Sequence, residues 1–431
     1  MLHDNLSVNE KGKLCFCSLD TIELCKKYGT PLMLLDEEKI RSAARLYSRA
    51  MKKYFTKDSK AFFASKALSF KGIYSIVEEE GMGTDIVSLG ELYTAKAAGF
   101  DLKNACFHGN NKTSEAISFA IDEGVGLFVV DNDRELRKID RIAGEKGKNQ
   151  DVLLRLSPGI DPHTHAKIST GRVDSKFGTA IATGQAIELV RTALSLKNVT
   201  LLGFHSHIGS QIFEIEPFVN AAEIMIAFIS EVKRRFDFNT KILNLGGGFG
   251  ARYVESDPIV SYEEFLARIS EKIKALCIKE KVKMPDIYVE PGRSVVAEAG
   301  ITLYTTEGVK SITGYKNYVS IDGGMTDNPR YTLYQSRYTV VNADKASSPA
   351  DFVATIAGCC CESGDLIGED ISLSEPDEGD RIAVLTTGAY NYAMASNYNR
   401  VPRPPIVMIK DGKDRLVVKR ESLDDLIKND I

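Results

Sequence analysis

Lys66 lies in Phe63-Ala64-Ser65-Lys66-Ala67-Leu68, at the end of an apolar run. An amine projecting from a buried wall is desolvated, which lowers its pKa and makes it the nucleophile that carbonyl capture requires. A solvent-facing lysine that caps a strand has the same local sequence. Gly246-Gly247-Gly248-Phe249-Gly250 lets backbone N–H groups approach an anion such as phosphate. It lacks the G-x-G-x-x-G spacing of dinucleotide sites. His205-Ser206-His207-Ile208-Gly209-Ser210 sets two of the six histidines two residues apart, facing the same way in extended chain. An imidazole can stack on an aromatic ring, and Ser210 can donate to a phosphate. Zinc is the competing use, but it needs a third ligand, and neither an H-E-x-x-H motif nor a cysteine partner stands out. No metal is therefore expected. Glu290-Pro291-Gly292-Arg293 offers a carboxylate able to keep a pyridine-type nitrogen protonated, or else an internal ion pair. Cys361-Glu362-Ser363-Gly364-Asp365 and Gly388-Ala389-Tyr390-Asn391-Tyr392 add proton-transfer groups.

The elements that must carry these residues repeat. Eight short apolar runs, Ala61–Ser65, Thr84–Val87, Ala105–His108, Gly126–Val130, Val152–Leu156, Leu201–His205, Ile242–Leu245 and Ile287–Glu290, alternate with helix-like stretches such as Leu89–Ala98, Thr113–Glu123 and Pro217–Phe236. Runs apolar on both sides suit parallel strands covered by helices. Eight units predict a (β/α)8 barrel, whose active face lies at the strand ends. Lys66, His205, Gly246 and Glu290 all fall there. The long polar stretch Ser157–Gly178 after the fifth strand would hang over that face. Beyond Gly292 the pattern turns to short β-like runs (Tyr318–Ile321, Arg337–Val341, Phe352–Ala357, Arg381–Thr386, Ile406–Lys410, Arg415–Lys419) split by turn residues, an all-β signature. The expected division is a barrel over 36–290 and a β domain from 1–35 and 291–431, to which Leu14–Cys17 and Pro31–Leu35 would contribute.

Composition narrows the partners. A chain of 431 residues with 43% hydrophobic and 26% charged residues has material for two domains. The net charge of −4 argues against nucleic acid or an anionic membrane as the main partner. No apolar run approaches the ~20 residues that span a bilayer, and the N-terminus lacks a signal-peptide pattern. The eight cysteines lack zinc spacing and are expected as thiols in the cytoplasm.

Taken together these motifs resemble the fold-type III pyridoxal-phosphate decarboxylases, in the family's order and over nearly the whole chain. The resemblance implies a barrel plus a β domain, pyridoxal 5'-phosphate as cofactor and a homodimer with shared active sites. It makes Lys66 the Schiff-base lysine and His207 the residue stacked on the ring. Ser210, Gly248 and the backbone of Glu290–Arg293, Gly292 included, become the phosphate site. Glu290 becomes the partner of the pyridine nitrogen, and Cys361 the proton donor from the neighbouring subunit. Tyr390 joins the cofactor contacts. Within the family, the loop His163-Thr164-His165, Ile168-Ser169-Thr170-Gly171 and Ser175-Lys176-Phe177-Gly178 is similar to the lid of members that convert meso-diaminopimelate to L-lysine. Arg293, Arg330, Tyr334, Glu362 and Tyr390 match their substrate-contacting positions. A planar guanidinium suits a carboxylate, and Glu362 suits a distal ammonium. Two departures stand out: Lys66-Ala67-Leu68 where many relatives have Lys-Ala-Asn, and Tyr331-Thr332 after Arg330 where Pro-Ala is common. The alternatives are a family member acting on another basic amino acid or a carboxylated polyamine, a catalytically inactive regulatory relative, and a phosphate-binding barrel aldolase or isomerase without this cofactor.

Overall fold

A computed structural model describes residues 2–160 and 175–431. The chain divides into two compact units, one of residues 41–250 and 260–292, the other of residues 1–40, 251–259 and 293–431.

The first unit is a closed parallel barrel. Its strands are β1 (Lys60–Ala64), β2 (Gly83–Ile86), β3 (Ala105–Phe107), β4 (Leu127–Val130), β5 (Gln150–Ser157), β6 (Val199–His205), β7 (Ile242–Asn244) and β8 (Asp286–Val289). They run in order, β8 pairs with β1, and every pairing between them is parallel. The expected (β/α)8 barrel is thus present, with strand limits shifted by a residue or two. Both faces of β4 are buried, which is why this strand reads as a continuous apolar run; β2 is buried on both faces too but carries Thr84 and Asp85. Phe62, Cys106, Leu127, Val129, Leu153 and Ile242 form one apolar cluster inside the barrel. Side-chain caps start the covering helices: Ser88 accepts from Glu91 N–H, Thr113 from Ala116 N–H, Asn132 from Glu135 N–H and Ser261 from Glu264 N–H. The caps at Ser88 and Asn132 each follow a strand end by two residues, which keeps those loops short.

The second unit is built on a mixed sheet. Its long strand β9 (Gly300–Ile312) pairs antiparallel with Leu32–Asp36, with β10 (Lys316–Ile321) and with β12 (Arg381–Leu385). β11 (Phe352–Ala357) runs parallel to β10, and β13 (Ile406–Lys410) runs parallel to Leu32–Asp36. Leu32, Leu34, Ile301, Leu303, Ala383, Leu385, Val407 and Ile409 meet in its core. The strands β9 and Leu366–Leu373 were not among the expected runs. β9 is apolar in its first half and exposed in its second, and its register shifts between Thr306 and Gly308, so no single alternation marks it. The expected run Arg337–Val341 is a strand only from Val340. Ahead of it a short helix, Arg330–Tyr334, ends at Gln335 with φ +53°, and Tyr338 is taken up by Arg330 rather than by a strand partner.

Candidate active site

In the barrel unit the strand ends converge on Glu290. Its carboxylate accepts from Asn244 Nδ2 at 2.6 Å and from His205 Nε2 at 3.1 Å. His108 Nε2 lies 2.8 Å from Glu290 Oε1, at ion-pair range though not aligned as a hydrogen bond. Burial pushes the Glu290 carboxyl up, but the two histidines overcome it and hold it well below the usual carboxylate range. Burial likewise drives His205 down to about 4, against the pull of Glu290. The neutral His205 ring donates through Nε2 to an ionised carboxylate, and its buried Nδ1 has no hydrogen-bond partner. Burial raises the Asp85 carboxyl on β2, and the Glu290 charge adds to the rise.

The glycine-rich turn follows β7. Gly246 (φ +68°) and Gly248 (φ +121°) adopt conformations that favour glycine, and a Cβ on Gly247 would strike the Glu290 carbonyl. Asn244 Oδ1 accepts from Gly246 N–H at 2.9 Å, and Gly247 N–H donates to His207 Nδ1 at 3.2 Å. The Ser210 segment is tied to the same turn through Ile212 N–H, which donates to Gly248 O. A Cβ on Gly292 would press on Ala64 and Ala67, so glycine lets the Glu290–Gly292 turn close over the Lys66 turn. Lys66, His207, Ser210, Gly248, Glu290 and Gly292 are therefore assembled in one unit, and the Lys66 charge acts on both Asp85 and His207.

Two expectations need correction. Lys66 is exposed, between buried Ser65 and Ala67, rather than desolvated in a wall. The strand stops at Ala64, and a 3-10 turn, Ser65–Ala67, lifts residue 66 out of it. The two histidines of His205-Ser206-His207 do not share a partner either. The strand ends at His205, so alternation lapses: His205 meets Glu290 and His207 meets the glycine turn. The zinc question also changes, because His108, His205 and Glu290 bring three ligand atoms within 4.8 Å of one another. Sequence reading missed His108, Asn244, Asp85 and the Arg155 guanidinium of β5. Their shared signal was a polar side chain in or ending an apolar run.

The second unit gathers another set. Arg293 and Arg330 are 5% and 6% exposed. Arg293 donates to Tyr253 Oη at 2.6 Å and lies 4.8 Å from the Tyr390 ring centroid. Arg330 donates to Tyr338 Oη and Ser336 Oγ, both at 3.1 Å, and lies 5.0 Å from the Tyr253 ring centroid. Among the described residues no carboxylate pairs with Arg330. Tyr334 is half-buried on the same short helix. Cys361 and Glu362 are exposed on a loop, with Cys361 N–H donating to Asn399 Oδ1 at 2.9 Å. The departures at Tyr331 and Thr332 brace that loop and its neighbouring strand: Thr332 Oγ1 donates to Gly364 O at 2.7 Å and Tyr331 Oη to Glu369 Oε2 at 2.8 Å. Tyr253 and Tyr338 were missed, since neither lies in a marked motif. Of the expected lid, Ser175–Gly178 is described, with Phe177 4.6 Å from the Arg155 guanidinium. His163-Thr164-His165 and Ile168–Gly171 lie outside the described residues.

The barrel-end donors fit pyridoxal phosphate. An ionised carboxylate suits a ring N–H, and the glycine turn suits a phosphate. The buried Ser206 Oγ, Asp85 Oδ1 and His205 Nδ1, which have no hydrogen-bond partner among the described residues, suit a polar ligand. Residues 37–297 match the pyridoxal-binding domain of pyridoxal-dependent decarboxylases. The chain belongs to this decarboxylase family. Its cofactor is accordingly pyridoxal 5'-phosphate, and it is a carboxy-lyase. The diaminopimelate decarboxylase of Bacillus subtilis (strain 168) is 44% identical, over 100% of this chain and 98% of that protein. The crystal structure of diaminopimelate decarboxylase from M. jannaschii with L-lysine superposes with a TM-score of 0.90 at 34% identity, over 100% and 98% of the two chains. The Helicobacter pylori diaminopimelate decarboxylase complexed with L-lysine gives 0.85 at 31%, over 95% and 98%. No helix among the described residues is long and apolar enough to cross a membrane.

Proposed function

We propose that this chain decarboxylates meso-2,6-diaminopimelate to L-lysine and CO2, the last step of lysine biosynthesis. The observation that carries the substrate is Arg330. A buried guanidinium served only by hydroxyls and aromatic rings is costly unless an anion joins it. A carboxylate remote from the reacting carbon answers that need, and ornithine and arginine have none to give once the reacting carboxylate is accounted for. The full-length similarity to diaminopimelate decarboxylases supports the same substrate.

Pyridoxal phosphate, when bound, supplies the electron sink that receives the pair left by departing CO2. Lys66 would provide the amine that anchors the cofactor's aldehyde. Glu290, kept ionised by Asn244 and the histidines, would hold the ring nitrogen's proton. His207 would serve the ring, and Gly248, Ser210, Gly292, Arg293 and Tyr390 would serve the phosphate end. Arg293, Arg330, Tyr334 and Tyr390 orient the substrate, Glu362 takes its distal ammonium, and the Cys361 thiol returns a proton to the carbon that lost CO2. Purified protein offered meso-diaminopimelate, ornithine and arginine in turn should release CO2 from the first alone. Release from ornithine instead would overturn the substrate.

The working form is a cytoplasmic homodimer in which Lys66 of one protomer and Cys361 of its partner serve one site. Inactive Lys66→Ala and Cys361→Ala chains, dissociated and mixed equally, give about half mixed dimers. Each mixed dimer has one intact site, so roughly a quarter of native activity returns. No recovery, with exchange verified by a mass tag, refutes the sharing.

A further inference from the structure

The loop that carries Cys361 and Glu362 is built on one buried carboxylate. Asp365 is 2% exposed, and its two oxygens take different partners: Oδ1 accepts from Met325 N–H at 2.6 Å and Oδ2 from Cys360 N–H at 2.7 Å. A Cβ on Gly324 or Gly358 would strike this carboxylate, so glycine on both sides makes room for it. Cys359 N–H donates to Gly323 O and Cys361 N–H to Asn399 Oδ1, both at 2.9 Å. Backbone N–H groups thus fix the base of the loop to neighbouring segments, two of them through charge-assisted bonds. The crest, residues 362–364, stands out from that base, with Glu362 and Ser363 exposed.

Thr332 reaches the crest from another element. It lies on the short helix Arg330–Tyr334, half-buried, and its Oγ1 donates to Gly364 O at 2.7 Å. Gly364 N–H in turn donates to Glu362 Oε1 at 3.3 Å. Two bonds therefore lead from the helix to the Glu362 carboxylate through a single glycine, the residue type with the most backbone freedom to lose. With Oε1 engaged on the Gly364 amide, the direction of the second carboxylate oxygen is set. A freely turning glutamate gives up rotamer entropy when it takes a cation, and one already oriented gives up less. The alanine common in place of Thr332 has no hydroxyl to donate. Gly364 O also accepts from Leu366 N–H at 2.8 Å, so removing the hydroxyl leaves that carbonyl bonded.

We propose that Thr332 is a positioning residue that sets specificity, holding Gly364 so that the Glu362 carboxylate is aimed at the ammonium of a ligand. This rests on the reading above that Glu362 takes the substrate's distal ammonium. Thr332 itself touches no ligand in this scheme and acts only through Gly364.

L-Lysine and 6-aminohexanoate, used as inhibitors of the holoenzyme, isolate the effect. They share the carboxylate, the chain and the terminal amine, and differ by the ammonium beside the carboxylate. Native protein should prefer L-lysine. In Thr332→Ala the L-lysine inhibition constant should rise about three- to tenfold, the scale of one net hydrogen bond. The 6-aminohexanoate constant should move less than about twofold. Thr332→Ser keeps the hydroxyl and should retain the native preference. Circular dichroism and the thermal midpoint check that each variant is folded. Equal changes for both inhibitors in Thr332→Ala, or no change, overturn the role, as does a serine variant that behaves like the alanine one. Glu362→Gln is the separate check on the underlying reading. If that variant keeps the L-lysine preference, Glu362 does not take the ammonium. If it loses the preference while Thr332→Ala behaves as native, only the Thr332 proposal falls.

Discussion

The two units treat buried charge in opposite ways at their functional ends. At the barrel end Glu290 is surrounded by Asn244, His108 and His205. Nearby Lys112, fully buried, is matched by Glu135 and by the carbonyls of Gly109 and Val129. In the β unit, among the described residues, Arg330 meets hydroxyls and rings alone, and Cys361 and Glu362 stand exposed. The difference teaches where each unit expects its ligand to contribute. A site whose charges are settled internally can hold a permanent cofactor in one orientation. A site with an uncancelled cation selects a transient ligand by what that ligand brings.

Breaking the barrel end should have the largest effect. Lys66→Ala should lower CO2 release from meso-diaminopimelate by several powers of ten, about 1.4 kcal/mol for each, with the fold preserved. Near-native rates without added amine would remove Lys66 from the mechanism.

The next effect is on stability. His205 titrates at about 4 when folded and near 6.5 when unfolded. Between those values the unfolded chain binds a proton that the folded chain refuses, so stability is full above 6.5 and falls as pH drops toward 4. The loss is roughly 3 kcal/mol at most. Denaturant titrations across pH 4 to 7 should show this slope in native protein and a shallower one in His205→Gln. Equal slopes would place the titration elsewhere.

The smallest effect belongs to the exposed side of the β unit. Glu362→Gln should reduce kcat/KM for meso-diaminopimelate by about ten- to a hundredfold, as expected for loss of a charge-assisted hydrogen bond of about 1.5–3 kcal/mol. Cofactor absorbance should be unchanged. An unaltered kcat/KM would separate Glu362 from the substrate and leave the selecting role to the arginines.

Local sequence was sufficient for much of this. A strand buried on both faces is mostly apolar, so the eight barrel runs were readable, and the polar residues interrupting or ending them marked the active face. A turn with positive φ needs glycine, so Gly246 and Gly248 announced themselves. Lys66 shows the limit of that reading: its place after β1 was legible, but its exposure was not, because one turn of 3-10 helix decides it.

Contacts between distant residues were beyond the sequence. Glu290 meets His108 and His205 only because eight strands close in register into a ring, bringing the ends of β3, β6 and β8 to face one another across it. Tyr253 meets Arg293 and Arg330 only because residues 251–259 leave the barrel's chain order and fold with the β unit. Periodicity reports which face of an element is buried, and it carries no information about what lies opposite. The sequence determined the elements and the chemistry at their ends. Closure and register, set by packing over the whole chain, decided which charges would be settled and which left for a ligand.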